Sequence, residues 1–534
     1  MNFYNIKIKY LFYIFLGIYS FYVNYFFSNK GLFPIDTFSF FDTGYLITQG
    51  LHPIKDIWVI SGIFIDYLQA IYFLLFGFNW NAYVFHASSL NMILCLFFFY
   101  FLNNFNKNFY INLLLSFSVA TLCYPVAGTP FPYQHSFILS LISLMIFYLA
   151  IRKENRIYWL TLPIVMLLSF ASMQMPSGII NVILLIFISL YYYKFEKFFL
   201  ISFTRGVIFC VLLIIFYILI VKINLKDLLM QLVLFPFSLG EGRITGNSDS
   251  YASANLLKKF TIRGTFGHFK FIFFFIFANL ISTIIYIKKK SNKFDKIVFL
   301  NFFIILCSLG FIFHQLITAN QTFIFSLIPI LCGLFIIQLN DFFKIKNRII
   351  NTSIILLITL ITIKYHYDYN VDRKFMDLQN TDFSNSIKAN TLDTKFNKLQ
   401  WITPFYYKKN PSEELELLRK TKKIISKDKP EEIILITNYQ FFSLLLEKKF
   451  NILNRWYFPK NNTHPTSKEN KYYDYYLEKQ QNLIIDKKIK KIYLVNSYPD
   501  EFSFISIKDL LKEKCYNKEK YNKMLTLIEI VSCN

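Results

Sequence analysis

Four aspartates, Asp36, Asp42, Asp56 and Asp66, fall within residues 36–77, DTFSFFDTGYLITQGLHPIKDIWVISGIFIDYLQAIYFLLFG. They are four of only 11 acidic residues in the first 364. The surrounding sequence is apolar, and a carboxylate beside lipid is kept where it has a task or a partner. Desolvation at a partly dry interface raises the proton affinity of a carboxylate. Such a group suits the work of a general base on a hydroxyl nucleophile. The plain alternative is a wet loop between two spans, which carries acids without using them.

The elements that must position these residues are membrane helices. The chain has 534 residues, 55% of them apolar and 20% aromatic, and a mean hydropathy of +0.39. That composition describes an integral membrane protein and excludes a soluble enzyme with a large core. The net charge is +24, but the basic residues are dispersed between apolar spans and along a mixed-charge tail. No basic patch is built, so nucleic acid is not an expected partner. Apolar runs occur near 8–27, 82–102, 109–126, 135–151, 157–171, 178–193, 206–222, 268–287, 297–316, 321–340 and 349–364. A span needs about 20 residues, with roughly 17 tolerated, which gives 11 transmembrane helices if 62–77 is left out.

Charge placement decides that choice. With 62–77 not spanning and the N-terminus inside, the cytoplasmic segments hold 17 Lys and Arg and the outer loops hold 7. Counting 62–77 as a span would move RKENR and KKKSNKFDK outside, against the positive-inside rule. Residues 62–77 are therefore expected to form a helix lying on the outer face, with Asp66 and Gln69 toward water or protein. The first run lacks a small-residue cleavage site and reads as helix one. Cys95, Cys123, Cys210, Cys307 and Cys332 sit in apolar runs as small core residues. Cys515 and Cys533 could pair in an oxidising compartment.

Residues 365–534 change character and hold 22 of the 33 acids. EEIILIT and KKIYLVN read as buried strands separated by helical segments, which predicts a small α/β domain on a parallel sheet. The expected architecture is an all-α polytopic membrane domain over 1–364, with 28–81 as first outer loop, followed by an extracytoplasmic α/β domain over 365–534.

The stretch from Asp42 to Gly77 resembles the first outer loop of the GT-C superfamily of membrane glycosyltransferases. The matching residues are Asp42, Gly44, Tyr45 and Leu46, then Gly50, Pro53 and Asp56, then Leu75, Phe76 and Gly77. Ile54 stands where the family pattern has Tyr, and Asp42-Thr43 where it has Asp-Glu. The superfamily includes protein O-mannosyltransferases, the aminoarabinose transferase of lipid A and lipopolysaccharide galacturonosyltransferases. The resemblance implies transfer of a sugar from a polyprenyl-phosphate donor to an envelope glycan or lipid, in a bacterial cytoplasmic membrane. It places the catalytic carboxylate at Asp42, with Asp36 as rival, and gives Asp56 an orienting role.

The departing phosphate needs positive charge or N–H donors. Arg243 and Arg263 in the long loop 223–267 are the candidates, since Arg suits bidentate phosphate contact better than Lys. Lys258 and Lys259 could instead meet lipid headgroups. The Gly-rich GEGRITGNSDS around Arg243 lacks the Walker spacing and is not a P-loop. His135, His314 and Gln174 lie at helix ends on the outer side, where they could bind sugar or phosphate or merely cap a helix. Tyr45 and Tyr133 could stack on sugar or belong to an interfacial belt. No metal is required by a single lipid-phosphate donor, though Asp36, Asp42 and Asp56 leave a divalent cation as an alternative. A lipid-linked glycan flippase or an envelope polysaccharide polymerase are the competing readings. A flippase predicts repeated halves and charges in mid-span, and the sequence carries no repeat and almost no mid-span charge.

Overall fold

The computed structural model of the chain describes residues 3–123, 128–245, 261–289, 294–318, 324–343, 348–372, 378–379, 381–458, 462–496, 505–511 and 515–531. Each of the eleven apolar runs contains a helix among the described residues. The first is α1 (Phe3–Ser28). The acidic stretch follows as two short helices, α2 (Pro34–Thr37) and α3 (Phe41–Thr48), and a longer one, α4 (Ile63–Phe76). Next come α5 (Trp80–Phe105), α6 (Phe109–Leu122), α7 (Pro132–Lys153), α8 (Arg156–Ser172), α9 (Gln174–Lys194) and α10 (Leu200–Val221). α11 (Leu225–Leu229), a π turn (Met230–Leu234) and α12 (Phe235–Thr245) make one continuous helical stretch. The bundle closes with α13 (His268–Lys289), α14 (Lys296–Thr318), α15 (Leu327–Phe343) and α16 (Arg348–His366).

Among the described residues seven helices are long and apolar enough to cross a membrane, and four shorter helices are also apolar. With no water in a bilayer core, each span must satisfy its own backbone, and helices do so. Polar side chains mark their starts: Asn79 accepts from the Ala82 amide at 3.0 Å and Asn108 from Ile111 at 3.3 Å. α7 is the axis of the bundle, buried from Pro132 to Ile151. Its Ser136, Ser140 and Ser143 are small enough for neighbours to close around it. At the periphery α10 turns most of its length outward. Gly206 lets α10 rest on α8, because a Cβ there would meet the Leu160 carbonyl oxygen at 2.4 Å.

The tail carries a five-stranded sheet in the order β4-β3-β5-β7-β6. The strands are β3 (Ile433–Thr437), β4 (Asn451–Ile452), β5 (Lys491–Val495), β6 (Cys515–Lys520) and β7 (Leu525–Val531). A separate two-stranded pair, β1 (Ile387–Lys388) and β2 (Gln400–Trp401), precedes them. The associated helices are α17 (Pro411–Ile425), α18 (Phe442–Leu446), α19 (Tyr473–Asp486) and α20 (Ile507–Leu511). β3 is buried along its whole length, with Ile433 and Leu435 in one core and Ile434 and Ile436 in another. Burial on both faces is why it reads as an unbroken apolar run. The sheet is mixed where a parallel one was expected. β4, β3 and β5 are parallel, while β7 and β6 pair antiparallel. β6, CYNKEK, is almost wholly exposed. It is an edge strand protected by charge, and that polarity hides it in the sequence.

The acidic loop and the tail share one core. Phe38 and Phe41 pack with Trp80 from α5 and with Phe396, Trp401 and Phe441 from the tail. The backbones join as well. Trp58 N donates to Leu453 O at 2.9 Å and Arg455 N to Trp58 O at 3.1 Å, so the loop extends the β4 edge of the sheet. Gly31 and Leu32 donate to Gln400 O and Ile402 O at 2.9 and 3.0 Å.

Candidate active site

The four carboxylates have four different environments. Asp42, in the first turn of α3, is 1% exposed. Its carboxylate accepts from the amides of Ser443 at 3.1 Å and Leu444 at 2.9 Å, in the first turn of α18. A helix start has orphan N–H groups and a positive dipole end, and Asp42 answers both. Burial pushes its pKa up to about 7, in spite of the two amides that favour the charged form. Asp66, in the first turn of α4, accepts from Arg455 Nη1 at 2.7 Å and Thr43 Oγ1 at 2.7 Å. Arg455 also donates to Ser61 Oγ at 3.2 Å and lies over the Phe40 ring at 4.6 Å. Gly62, at φ +74°, leaves room for that guanidinium: a Cβ would stand 3.0 Å from Nη1. Burial outweighs the arginine and lifts Asp66 to about 6. Asp66 and Gln69 are both fully buried, so of water and protein they are turned to protein: Asp66 to Arg455 of the tail and Gln69 to α3 and α5.

Asp56 accepts from the His52 amide at 2.8 Å and closes the turn that carries Pro53. Asp36 sits on the one-turn helix α2 and remains half-buried. Its turn is held by Tyr83, whose hydroxyl donates to Thr37 O at 2.7 Å, and by Phe33 against Phe405. Of the two candidate bases, Asp36 therefore keeps surface and Asp42 does not. Tyr45 is buried edge-on to Phe78 at 5.2 Å, in the core and not at a surface a sugar could reach.

His135 belongs to a hydrogen-bonded chain. Its Nδ1 faces the Phe131 carbonyl at 3.0 Å and must carry the proton there. Nε2 then accepts from His86 Nε2, 2.9 Å away. His86 Nδ1 is left as an acceptor, and the amide of Gln69 lies 2.9 Å from it. The proton count requires that amide to be turned so that its nitrogen donates, which gives a partner to a nitrogen that otherwise has none. The chain ties α4 to α5 and α7.

Tyr133, His314 and Arg243 do come together. The Tyr133 ring lies 5.4 Å from His314, and Arg243 at the end of α12 is within Coulombic reach of the same imidazole. Gln315 Nε2 faces His314 Nδ1 at 3.3 Å; with the amide in that orientation Nδ1 accepts and Nε2 carries the proton. Among the described residues, that Nε2 is buried without a partner, as are Arg243 Nε and Trp456 Nε1. Trp456 reaches the group through Phe131, 6.3 Å from it and 5.5 Å from Tyr133. Trp456, Phe131, Tyr133 and His314 thus form one run of neighbouring rings, with Arg243 near its His314 end. Each unpaired buried donor costs about 1–3 kcal/mol, which a hydrogen-bond acceptor within its reach relieves. Trp456 escaped the sequence reading because a tryptophan after an apolar run looks like core. Gln174 is structural here: its amide donates to Ile60 O at 2.9 Å and Leu232 O at 3.0 Å. Arg263 is exposed on the first turn before α13. Lys258, Lys259 and Cys533 lie outside the described residues. Cys515 is disulfide-bonded.

Among the described residues no three His, Cys, Asp or Glu side chains converge as metal ligands. Asp42 and Asp56 are turned to separate amides, so the Asp36, Asp42 and Asp56 set is not assembled as a cation site.

No protein-family profile and no curated protein matches the chain. Among solved structures it is similar to the oligosaccharyltransferase of Archaeoglobus fulgidus tethered by a disulfide to an acceptor peptide containing the NVT sequon. That match has a TM-score of 0.46 and 12% identity, covering 90% of this chain and 69% of the other. The Archaeoglobus enzyme in complex with zinc and sulfate gives 0.43 and 13%, over 90% and 67%.

Proposed function

We propose that the chain is an inverting membrane glycosyltransferase. It would move a sugar from a polyprenyl-phosphate donor to a hydroxyl of an envelope glycan or lipid, on the outer side of the cytoplasmic membrane. The observation that carries this reading is the run of rings from His314 through Tyr133 and Phe131 to Trp456, with His314 Nε2, Arg243 Nε and Trp456 Nε1 buried without partners among the described residues. They suit a lipid-linked phosphate. In the reaction the acceptor oxygen attacks the anomeric carbon, the bond to the phosphate oxygen breaks, and the hydroxyl proton passes to a carboxylate. Asp36 takes that role, because it keeps surface while Asp42 is buried against the start of α18. The loop resemblance from Asp42 to Gly77 supports the class, and the disulfide at Cys515 supports an oxidising compartment for the tail.

The test is sugar transfer in membranes containing the protein, with pooled polyprenyl-phosphate sugars and an envelope extract as acceptor. Asp36→Asn is expected to abolish transfer with protein level unchanged. Arg243→Gln and His314→Gln are expected to raise the donor KM more than they lower kcat. A dead Asp42→Asn with unchanged melting temperature, beside an active Asp36→Asn, would return the base to Asp42. Transbilayer movement of a lipid-linked sugar in proteoliposomes, without transfer, would favour the flippase reading.

A further inference from the structure

α10 exposes Phe216, Leu219 and Ile220 at its end, as a lipid-facing span does. Shortly after it, the helical stretch 225–245 begins. One side of this stretch is built into the protein. Met230, Gln231, Phe235 and Leu239 are buried. Gln231 Nε2 donates to Ile54 O and its Oε1 accepts from Val59 N, both at 2.9 Å. The Phe235 ring lies 5.8 Å from Trp58 and 6.3 Å from Tyr472. Asp227 accepts from Tyr475 Oη at 2.6 Å and pairs with Lys479 at 3.0 Å, both on α19.

The opposite side has the wrong chemistry for water. Leu225, Leu229, Val233 and Phe237 follow one another at four-residue steps, so they line a single stripe. They are 59%, 53%, 48% and 74% exposed, and Leu234 flanks them. A helix resting on a protein surface in water presents polar residues outward. This stripe instead continues the exposed apolar surface of α10. Lys222 stands exposed where the stripe begins, placed to reach lipid phosphates while its stem stays on apolar surface, whereas Lys226 lies over the Tyr475 ring at 4.9 Å.

We propose that residues 225–245 lie in the interfacial zone of the leaflet at which α10 ends, with the stripe among the acyl chains. Through Asp227, Phe235 and Gln231 the same helix seats α19 and the acidic loop on the bilayer. Its occupant is lipid, by continuity with α10, and not a second protein. The test uses the full chain in nanodiscs, with Leu229→Cys or Phe237→Cys carrying an environment-sensitive nitrobenzoxadiazole label. The described free cysteines are buried and compete little for label. Both labels are expected to emit at shorter wavelength than one at Lys487→Cys, an exposed site on the tail. Doxyl-labelled phospholipid should quench them several-fold more than aqueous iodide does, with the order reversed at Lys487→Cys. Iodide quenching equal to that at Lys487→Cys would overturn the proposal, and so would protection from both quenchers, which would mean that protein covers the stripe. No substrate is present, so the outcome is independent of the transferase reading.

Discussion

Asp66 and Arg455 form an ion pair with neither side chain more than 1% exposed. Removing one partner of such a pair strands a charge in a dry site, at a cost of about 3–5 kcal/mol, whereas replacing both by apolar groups is often neutral. Arg455→Met is therefore expected to lower the melting temperature in detergent sharply, and Arg455→Met with Asp66→Leu to recover most of the loss. Asp42 makes a second prediction. Folding lifts it from an ordinary 3.8 to about 7. A carboxyl raised in this way contributes its full stability below pH 4 and loses it as the pH climbs toward 7. Thermal stability should fall across that range, and Asp42→Asn should flatten the profile. An unchanged profile in the variant would mean that other groups set the dependence. The sequence could single out both aspartates, since acids among apolar spans are rare. It could not name their partners: Arg455 is one of many basic residues in the tail, and its carboxylate lies 389 positions away.

Between elements, close approach is set by glycine. At Gly44 a Cβ would meet Gln69 Cγ at 2.7 Å, so α3 lies directly on α4. Gln69 in turn bonds His86. Gly44→Ala is expected to push the helices apart at about 1–3 kcal/mol, a typical overpacking penalty, and to weaken the Gln69–His86–His135 chain. Thermal unfolding measures the first effect; imidazole nitrogen NMR shifts of the two histidines report the second. Helices were the legible elements. All eleven apolar runs contain helices among the described residues, because a backbone in lipid has few other choices. β3 and β5 were legible for a related reason, being unbroken apolar runs. The β6–β7 hairpin was not, since an edge strand written Cys-Tyr-Asn-Lys-Glu-Lys carries no apolar alternation to detect.

In the whole molecule the acidic loop has no core of its own. Phe38 and Phe41 are completed by Phe396, Trp401 and Phe441. Ending the chain after α16 is thus expected to leave a protein that inserts but aggregates on extraction, seen as loss of the monodisperse peak in size-exclusion chromatography. A well-behaved truncated protein would show that the loop can stand alone. Sequence alone divided the chain into a bundle and a tail. It could not show that the loop belongs to the tail's core, because that depends on contacts between positions hundreds of residues apart.

The bond from Asp42 to the Ser443 amide spans 401 positions. A ribosome adding about 5–20 residues per second needs roughly 20–80 s to make that much chain. For that interval the newborn loop lacks the residues that cover its acids and its aromatic rings. The residues that close the loop are made some 401 positions after it, so a product terminated before them carries the acidic loop without the fold that shapes it.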